Sequence, residues 1–158
     1  MSECAYSTDT RFWLASEFVE RVEGLCGRAV IHSIADAEPL GPKRPLDALI
    51  ICPCTGNTLA KLANGITDTP VCMAAKAHLR SDRPLLITLA SNDALSANLR
   101  NIGTLLSRKS VYFTPMVQDD PTAKPHSLVA DFGMVPEALE AAMEGKQLRP
   151  VFLEKRGE

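Results

Sequence analysis

Aromatic residues are scarce in this sequence, at 5% with a single Trp, and Lys plus Arg (17) do not outnumber Asp plus Glu (19). With neither a basic stripe nor a platform of rings, nucleic acid is not expected as the main partner. Long apolar runs are also missing. The best of them, residues 46–54, stops far short of the ~20 residues a membrane span needs. The opening Met1-Ser2-Glu3-Cys4 has neither the basic nor the apolar stretch of a secretory signal. Cysteine is present but in the wrong arithmetic for a disulfide framework: five residues, at positions 4, 26, 52, 54 and 72. Cys52 and Cys54 form a C-x-C whose side chains share one face if the segment is extended. No second pair stands nearby to complete a four-ligand zinc site. Reduced, mostly buried thiols of a cytoplasmic protein are the expectation. Three nucleotide and hydrolase signatures are absent as well: G-x-G-x-x-G after a strand, the P-loop, and the G-x-S-x-G elbow.

What is present is ordinary globular material, 46% hydrophobic and 23% charged over 158 residues with a net charge of −2. That length reads as one domain spanning 1–158. Apolar residues recur with helical spacing from Phe12 to Cys26, after the capping side chains Ser7-Thr8-Asp9, and Gly27 sits where a left-handed cap ends a helix. The stretch 38–45, with Pro at 39, 42 and 45, reads as an ordered loop. Three short apolar runs read as strands: 46–52, ended by Pro53; 84–90; and 111–116, ended near Pro115. Helical patterns cover 57–64, 71–80, 94–108 and 128–145, the last with a start or kink at Pro136. Strands alternating with helices predict an α/β fold, a three-layer Rossmann-like or flavodoxin-like parallel sheet with helices on both faces. The sheet is thin by that count, and the chain opens almost directly into a helix, as though the first βα unit were absent.

Ligands of open α/β sheets bind beyond the carboxyl ends of the strands. The segment after the first strand, Cys52-Pro53-Cys54-Thr55-Gly56-Asn57-Thr58-Leu59-Ala60-Lys61, carries hydroxyls, an amide, a glycine and a lysine around a helix N-terminus. Either Thr55 or Asn57 serves as the helix cap. The segment after the second strand, Ser91-Asn92-Asp93, supplies another polar turn. Two such turns on neighbouring strands point to one shared crevice. A third loop, Gln118-Asp119-Asp120-Pro121, is acidic.

The run from Cys52 to Asp68 resembles the P-x-(S/T)-x-N-T-x-A-K-x-A-x-G-x-x-D signature of the flavoprotein family, which includes flavin-dependent cysteine decarboxylases. Four further segments, 7–12, 37–43, 69–77 and 118–121, resemble the family of dipicolinate synthase B subunits. Together the match runs from about Ser2 to Phe152. The resemblance implies one half of a two-component enzyme whose other half, a dehydrogenase-like A subunit, holds NADP. The implied reaction is oxidation of dihydrodipicolinate to dipicolinate during sporulation, in the cytoplasm of the mother cell. It also implies FMN as cofactor, with Ser7, Phe12, Thr55, Gly56, Asn57, Thr58, Lys61, Ser91 and Asn92 as its contacts. A homo-oligomer is implied too, with Trp13 and Phe12 as anchors. No catalytic residue and no metal ligand are assigned. Arg11, Lys61, Lys76 and the helix N-terminus at Asn57 are candidate contacts for a dianionic substrate. Alternatives are a decarboxylase of a cysteinyl substrate and a non-catalytic assembly protein with a vestigial flavin pocket. The decarboxylases carry P-x-M-N-x-x-M-W after the second strand, whereas this chain has Leu89-Ala90-Ser91-Asn92-Asp93-Ala94-Leu95. The family's Gly-Ser/Thr turn for the flavin phosphate precedes the first matched segment. This 158-residue form is therefore expected to bind FMN weakly or not at all, and to regain affinity when that turn is restored upstream.

Overall fold

The strand at residues 85–91 is the axis of the molecule, and the other elements are best described from it. The computed structural model describes residues 1–10, 13–41 and 43–154. The order is α1 (Glu3–Ser7), α2 (Ala15–Cys26), α3 (Ile34–Ala37), β1 (Leu49–Cys54), α4 (Gly56–Ala63), α5 (Pro70–Leu79), β2 (Leu85–Ser91), α6 (Leu99–Leu106), β3 (Val111–Phe113), β4 (Met116–Val117), β5 (Leu128–Ala130), α7 (Val135–Met143) and β6 (Phe152–Leu153). Strand β2 pairs in parallel with β1 on one side, Leu49 opposite Leu85 and Ile51 opposite Ile87. On the other side it pairs in parallel with β3, Leu85 opposite Val111 and Ile87 opposite Phe113. All five residues from Leu85 to Leu89 are buried. Side chains alternate between the faces of a strand, so helices cover both faces of the sheet here. The expected α/β architecture is present.

The parallel run is interrupted once. After Phe113 the chain passes through Thr114 and Pro115, and Pro115 has no N–H to offer a ladder. The direction diverges from β2, and β5 enters the opening antiparallel to both neighbours: Val129 opposite Ala90, and Ala130 opposite Met116. Strand β6 then closes beside β4, Met116 opposite Phe152. Residues 128–130 are therefore not helical, as their apolar spacing suggested. The helix that follows begins at Val135, with Pro136 in its first turn. Pro53 does not end the first strand either. β1 lies at one end of the sheet order, where a missing N–H costs no pairing, and its register shifts between Ile51 and Cys54. That shift separates the two cysteines, leaving Cys52 exposed and Cys54 buried.

The core gathers Leu59, Leu62, Leu85, Ile87, Leu89, Ile102, Leu105, Phe113 and Met116. Two polar contacts lie within it. Thr88 and Thr114 share a hydrogen bond of 2.9 Å between their hydroxyls, and His78 donates to the Pro84 carbonyl at 2.9 Å, tying the end of α5 to the start of β2. Gly41, at φ +103°, presses on the Ala77 carbonyl where no Cβ could stand, and so seats the 38–45 loop on α5.

Residues 1–33 behave differently. α2 is the expected helix, and Gly27 ends it in the left-handed conformation at φ +61°. The cap position is Leu14, which makes no side-chain cap bond, so none of the expected capping side chains occupies it. Asp9 Oδ1 instead reaches the helix start from six residues back and accepts from the Ala15 N–H at 2.9 Å. Among the described residues of this stretch, however, only Ala15 is buried. The segment folds on itself through the Met1 ammonium on the Ile31 carbonyl, stacked Tyr6 and His32, and Glu23 accepting from the Val30 N–H. Cys4 and Cys26 are exposed here. With Cys52, they make three of the five thiols accessible, contrary to the expectation of mostly buried ones. No helix among the described residues is long and apolar enough to cross a membrane.

Candidate functional site

At the carboxyl end of β1 the chain turns through Thr55 into α4. Thr55, not Asn57, is the cap: its Oγ1 accepts from the Thr58 N–H at 3.3 Å and meets Thr58 Oγ1 at 3.2 Å. A cap of this kind satisfies one of the orphan donors of the first turn and leaves others free for a ligand. Gly56, the first helical residue, is buried against the end of β2. A Cβ built on it falls 2.5 Å from Ser91 Oγ, 2.7 Å from Asn98 Nδ2 and 2.8 Å from Asp93 Oδ1. The two polar turns read from the sequence therefore meet, and only glycine lets them come so close.

Beneath Gly56 lies a connected set of side chains. Asp93 Oδ1 accepts from the Ser91 hydroxyl at 2.5 Å, and Asp93 Oδ2 accepts from Asn98 Nδ2 at 2.9 Å. Asn98 Oδ1 in turn accepts from Asn101 Nδ2 at 2.9 Å, and both asparagines are buried. The Ser91 bond, with that from Asn98, holds the Asp93 carboxyl below its ordinary value, so it is ionised at neutral pH. Asn98 and Asn101 were not singled out in the sequence, although Asn98 falls within the apolar stripe of Leu95, Leu99, Ile102 and Leu105. The signal available was their spacing of three, which puts two amides on one helix face.

The other expected contacts fall in different places. Asn57 and Asn92 lie on the two turns, exposed, and make no side-chain hydrogen bond among the described residues. Lys61 is in the last turn of α4, where its ammonium pairs with Asp68 at 2.8 Å. Lys76 is exposed on α5. Ser7 ends α1, its hydroxyl donating to the Glu3 carbonyl at 2.9 Å. Phe12 and Arg11 lie outside the described residues. The acidic loop after β4 is braced internally: Gln118 Nε2 donates to the Pro125 carbonyl at 2.7 Å, and Asp120 Oδ1 accepts from the Ala123 N–H at 2.9 Å. It adjoins the crevice through Leu128, which pairs with Ser91, and through the Leu95 N–H, which donates to the His126 carbonyl.

Below the Thr55 turn, burial pushes the Cys54 thiol up to about 12, reinforced by neighbouring Cys72, whose own thiol is raised by burial. A thiol so placed stays neutral and is a poor nucleophile or metal ligand. No cluster of three or more metal-ligating side chains occurs among the described residues. An open surface cleft of about 710 Å³ is lined by Leu106, Gln147, Arg149, Pro150, Val151 and Phe152. It shares no residue with the strand-end crevice, and its weak enclosure makes it the poorer candidate.

Comparison with known proteins identifies the family. The profile of the flavoprotein family matches residues 13–135. The dipicolinate synthase B subunit of Bacillus subtilis is 48% identical over 148 residues, 94% of this chain and 74% of that protein. The crystal structure of the dipicolinate synthase B subunit from Bacillus halodurans superposes with a TM-score of 0.87 at 45% identity, covering 94% of this chain and 76% of that one. The FMN-dependent cysteine decarboxylase SpaF shares the fold alone, with a TM-score of 0.57 and 23% identity over 80% of this chain and 70% of its own. By sequence and by fold, this chain belongs to the flavoprotein family, among the dipicolinate synthase B subunits.

Proposed function

We propose that this chain acts as the B subunit of a dipicolinate synthase, and that its strand-end crevice is a flavin-type ligand site. The observation that carries the reading is the meeting of the Thr55-Gly56 turn with Ser91, Asp93 and Asn98, in a chain nearly half identical to a dipicolinate synthase B subunit. In the proposed reaction, dihydrodipicolinate loses a hydride and a proton and becomes the aromatic pyridine-2,6-dicarboxylate. The hydride passes to NADP on the A subunit.

The residues of the crevice suit an FMN ring edge. Free first-turn N–H groups of α4 and the Asn57 amide can donate, while Ser91 and Asp93 can accept. When bound, a flavin supplies a conjugated ring that exchanges hydride equivalents. The chain's own part would be to hold that ring at the carboxyl ends of β1 and β2, where the exposed Asn57 and Asn92 side chains could contact it. As a dicarboxylate contact Lys61 is weakened by Asp68, which already neutralises its charge, and Lys76, in the last turn of α5, lies toward the start of β2, away from the crevice. The chain works as a homo-oligomer, a reading supported by Trp13, Leu14 and Leu25, all apolar and all substantially exposed. The site of action is the cytoplasm of the mother cell in a spore-forming bacterium. A decarboxylase is less well supported, because Ser91-Asn92-Asp93 stands where those enzymes carry Met-Asn.

The test is turnover of dihydrodipicolinate with NADP by this chain, by the A subunit, and by both together. Turnover that needs both supports the reading. Equal turnover when this chain is left out overturns it.

A further inference from the structure

We infer that Asp93 sets the charge selectivity of the crevice: it keeps the N-terminal end of α4 for an uncharged ring edge that donates hydrogen bonds, and it turns away free anions. The inference rests on the crevice being the ligand site proposed above. A bare helix N-terminus attracts anions, because its orphan N–H groups and the macrodipole both favour negative charge. Here that place is already taken. Asp93 Oδ1 lies within 2.8 Å of where a Cβ on Gly56, the first helical residue, would stand. An approaching phosphate or carboxylate would meet a fixed negative charge well inside the ~8 Å over which physiological salt screens charges.

No cation on α4 offsets it. Lys61, the only one that helix carries, sits in its last turn and is bonded to Asp68 at 2.8 Å. The carboxylate is also held in place. Ser91 donates to one oxygen and Asn98 to the other, and Asn101 fixes Asn98 from within the core. Asp93 is exposed, and a carboxylate has more acceptor directions than these two bonds use, so it can still accept from a ligand on the solvent side. A ligand group that presents N–H or O–H to it, while its own oxygens face the Asn57 amide and the α4 N–H groups, satisfies every partner. Imide and lactam edges have this alternation. An anion has acceptors only.

The experiment measures two probes on the 158-residue protein and its Asp93→Asn variant: lumiflavin, an uncharged isoalloxazine, by fluorescence quenching, and pyridine-2,6-dicarboxylate by calorimetry. The expected result is opposite movement. Lumiflavin weakens by about tenfold or more, as for a lost hydrogen bond to a charged group, while the dicarboxylate tightens by about tenfold. Asp93→Glu, which keeps the charge, retains the weak dicarboxylate binding of the parent. A loss of structure could not produce movement in both directions. Should Asp93→Asn lose its cooperative unfolding transition, Asp93→Ser carries the same test. Unchanged affinities, or two probes that move together, overturn the inference and leave the flavin reading standing. Lumiflavin bound by neither form overturns the flavin reading, and the inference falls with that reading. A dicarboxylate affinity unchanged, or absent in both forms, overturns the inference.

Discussion

The α2 helix, read from its apolar period, and the β2 strand, read from an unbroken apolar run, were both recognised in the sequence, yet they end in opposite surroundings. Leu85 to Leu89 have almost no accessible surface, whereas Leu25 on α2 is 79% exposed and Trp13 just before it 45%. Periodicity reports which residues share a face. It does not report what the face meets. For β2 the partners are within the chain: two parallel neighbours, β5, and helices on both sides. For α2 they are α1 and the turn at residues 28–32, and little else. The lesson is that hydrophobic pattern predicts element type more safely than it predicts burial.

The strongest way to break this comparison is to cut the core. Phe113→Ala removes the bulkiest fully buried side chain and should destabilise the fold by ~3–5 kcal/mol. Urea unfolding measures it, and a loss under about 1 kcal/mol would mean that the sheet is far looser than its burial indicates.

Next in size is alkaline pH. The Cys54 thiol is raised to about 12 in the folded state from the ordinary 9.0, so its contribution is complete below pH 9 and is lost as pH rises toward 12. Across that window the loss approaches ~1.4 kcal/mol per pH unit. The stability advantage of the parent over Cys54→Ala should therefore shrink between pH 8 and 11. A constant gap would contradict the burial of that thiol.

Gly56→Ala should cost ~1–3 kcal/mol, since its Cβ meets Ser91, Asp93 and Asn98 in a site with no slack. It should also impair lumiflavin binding more than its stability loss explains. Normal stability and normal binding would separate the two turns.

The smallest effect is expected on α2. Leu25→Ala should change monomer stability by less than ~0.5 kcal/mol. A larger loss that grows with protein concentration would show that a second copy covers this face, and light scattering on the same samples decides it.

Much of the architecture was legible because the segments were long enough to show a period. α4, α5 and β2 begin and end within a residue or two of their expected bounds, helped by Thr55, Thr69 and Arg83-Pro84 as punctuation. β5 and β6 were not legible. Strands of three and two residues are shorter than a period, and their pairing with β2 and β4 is long-range information. Pro53 misled because its meaning depends on whether a strand is at the edge. The crevice was half legible. Strand ends and polar turns indicated Thr55 and Ser91, and the close packing at Gly56 joined them. Asn98 and Asn101 stayed hidden because a buried amide and a solvated amide look the same in a sequence, and only the Asp93 carboxylate distinguishes them.

Gln147 also bears on the far edge of β3. Its side chain accepts from the Phe113 N–H at 2.8 Å and donates to the Phe113 carbonyl at 2.7 Å. An amide side chain has the same donor and acceptor as a peptide group, so here a single residue stands in for a neighbouring strand. The backbone of Phe113 is thereby closed to strand addition from another molecule, a contact that seeds aggregation at open sheet edges. One glutamine, thirty-four positions along the chain, thus guards solubility at a point where the sheet would otherwise be adhesive.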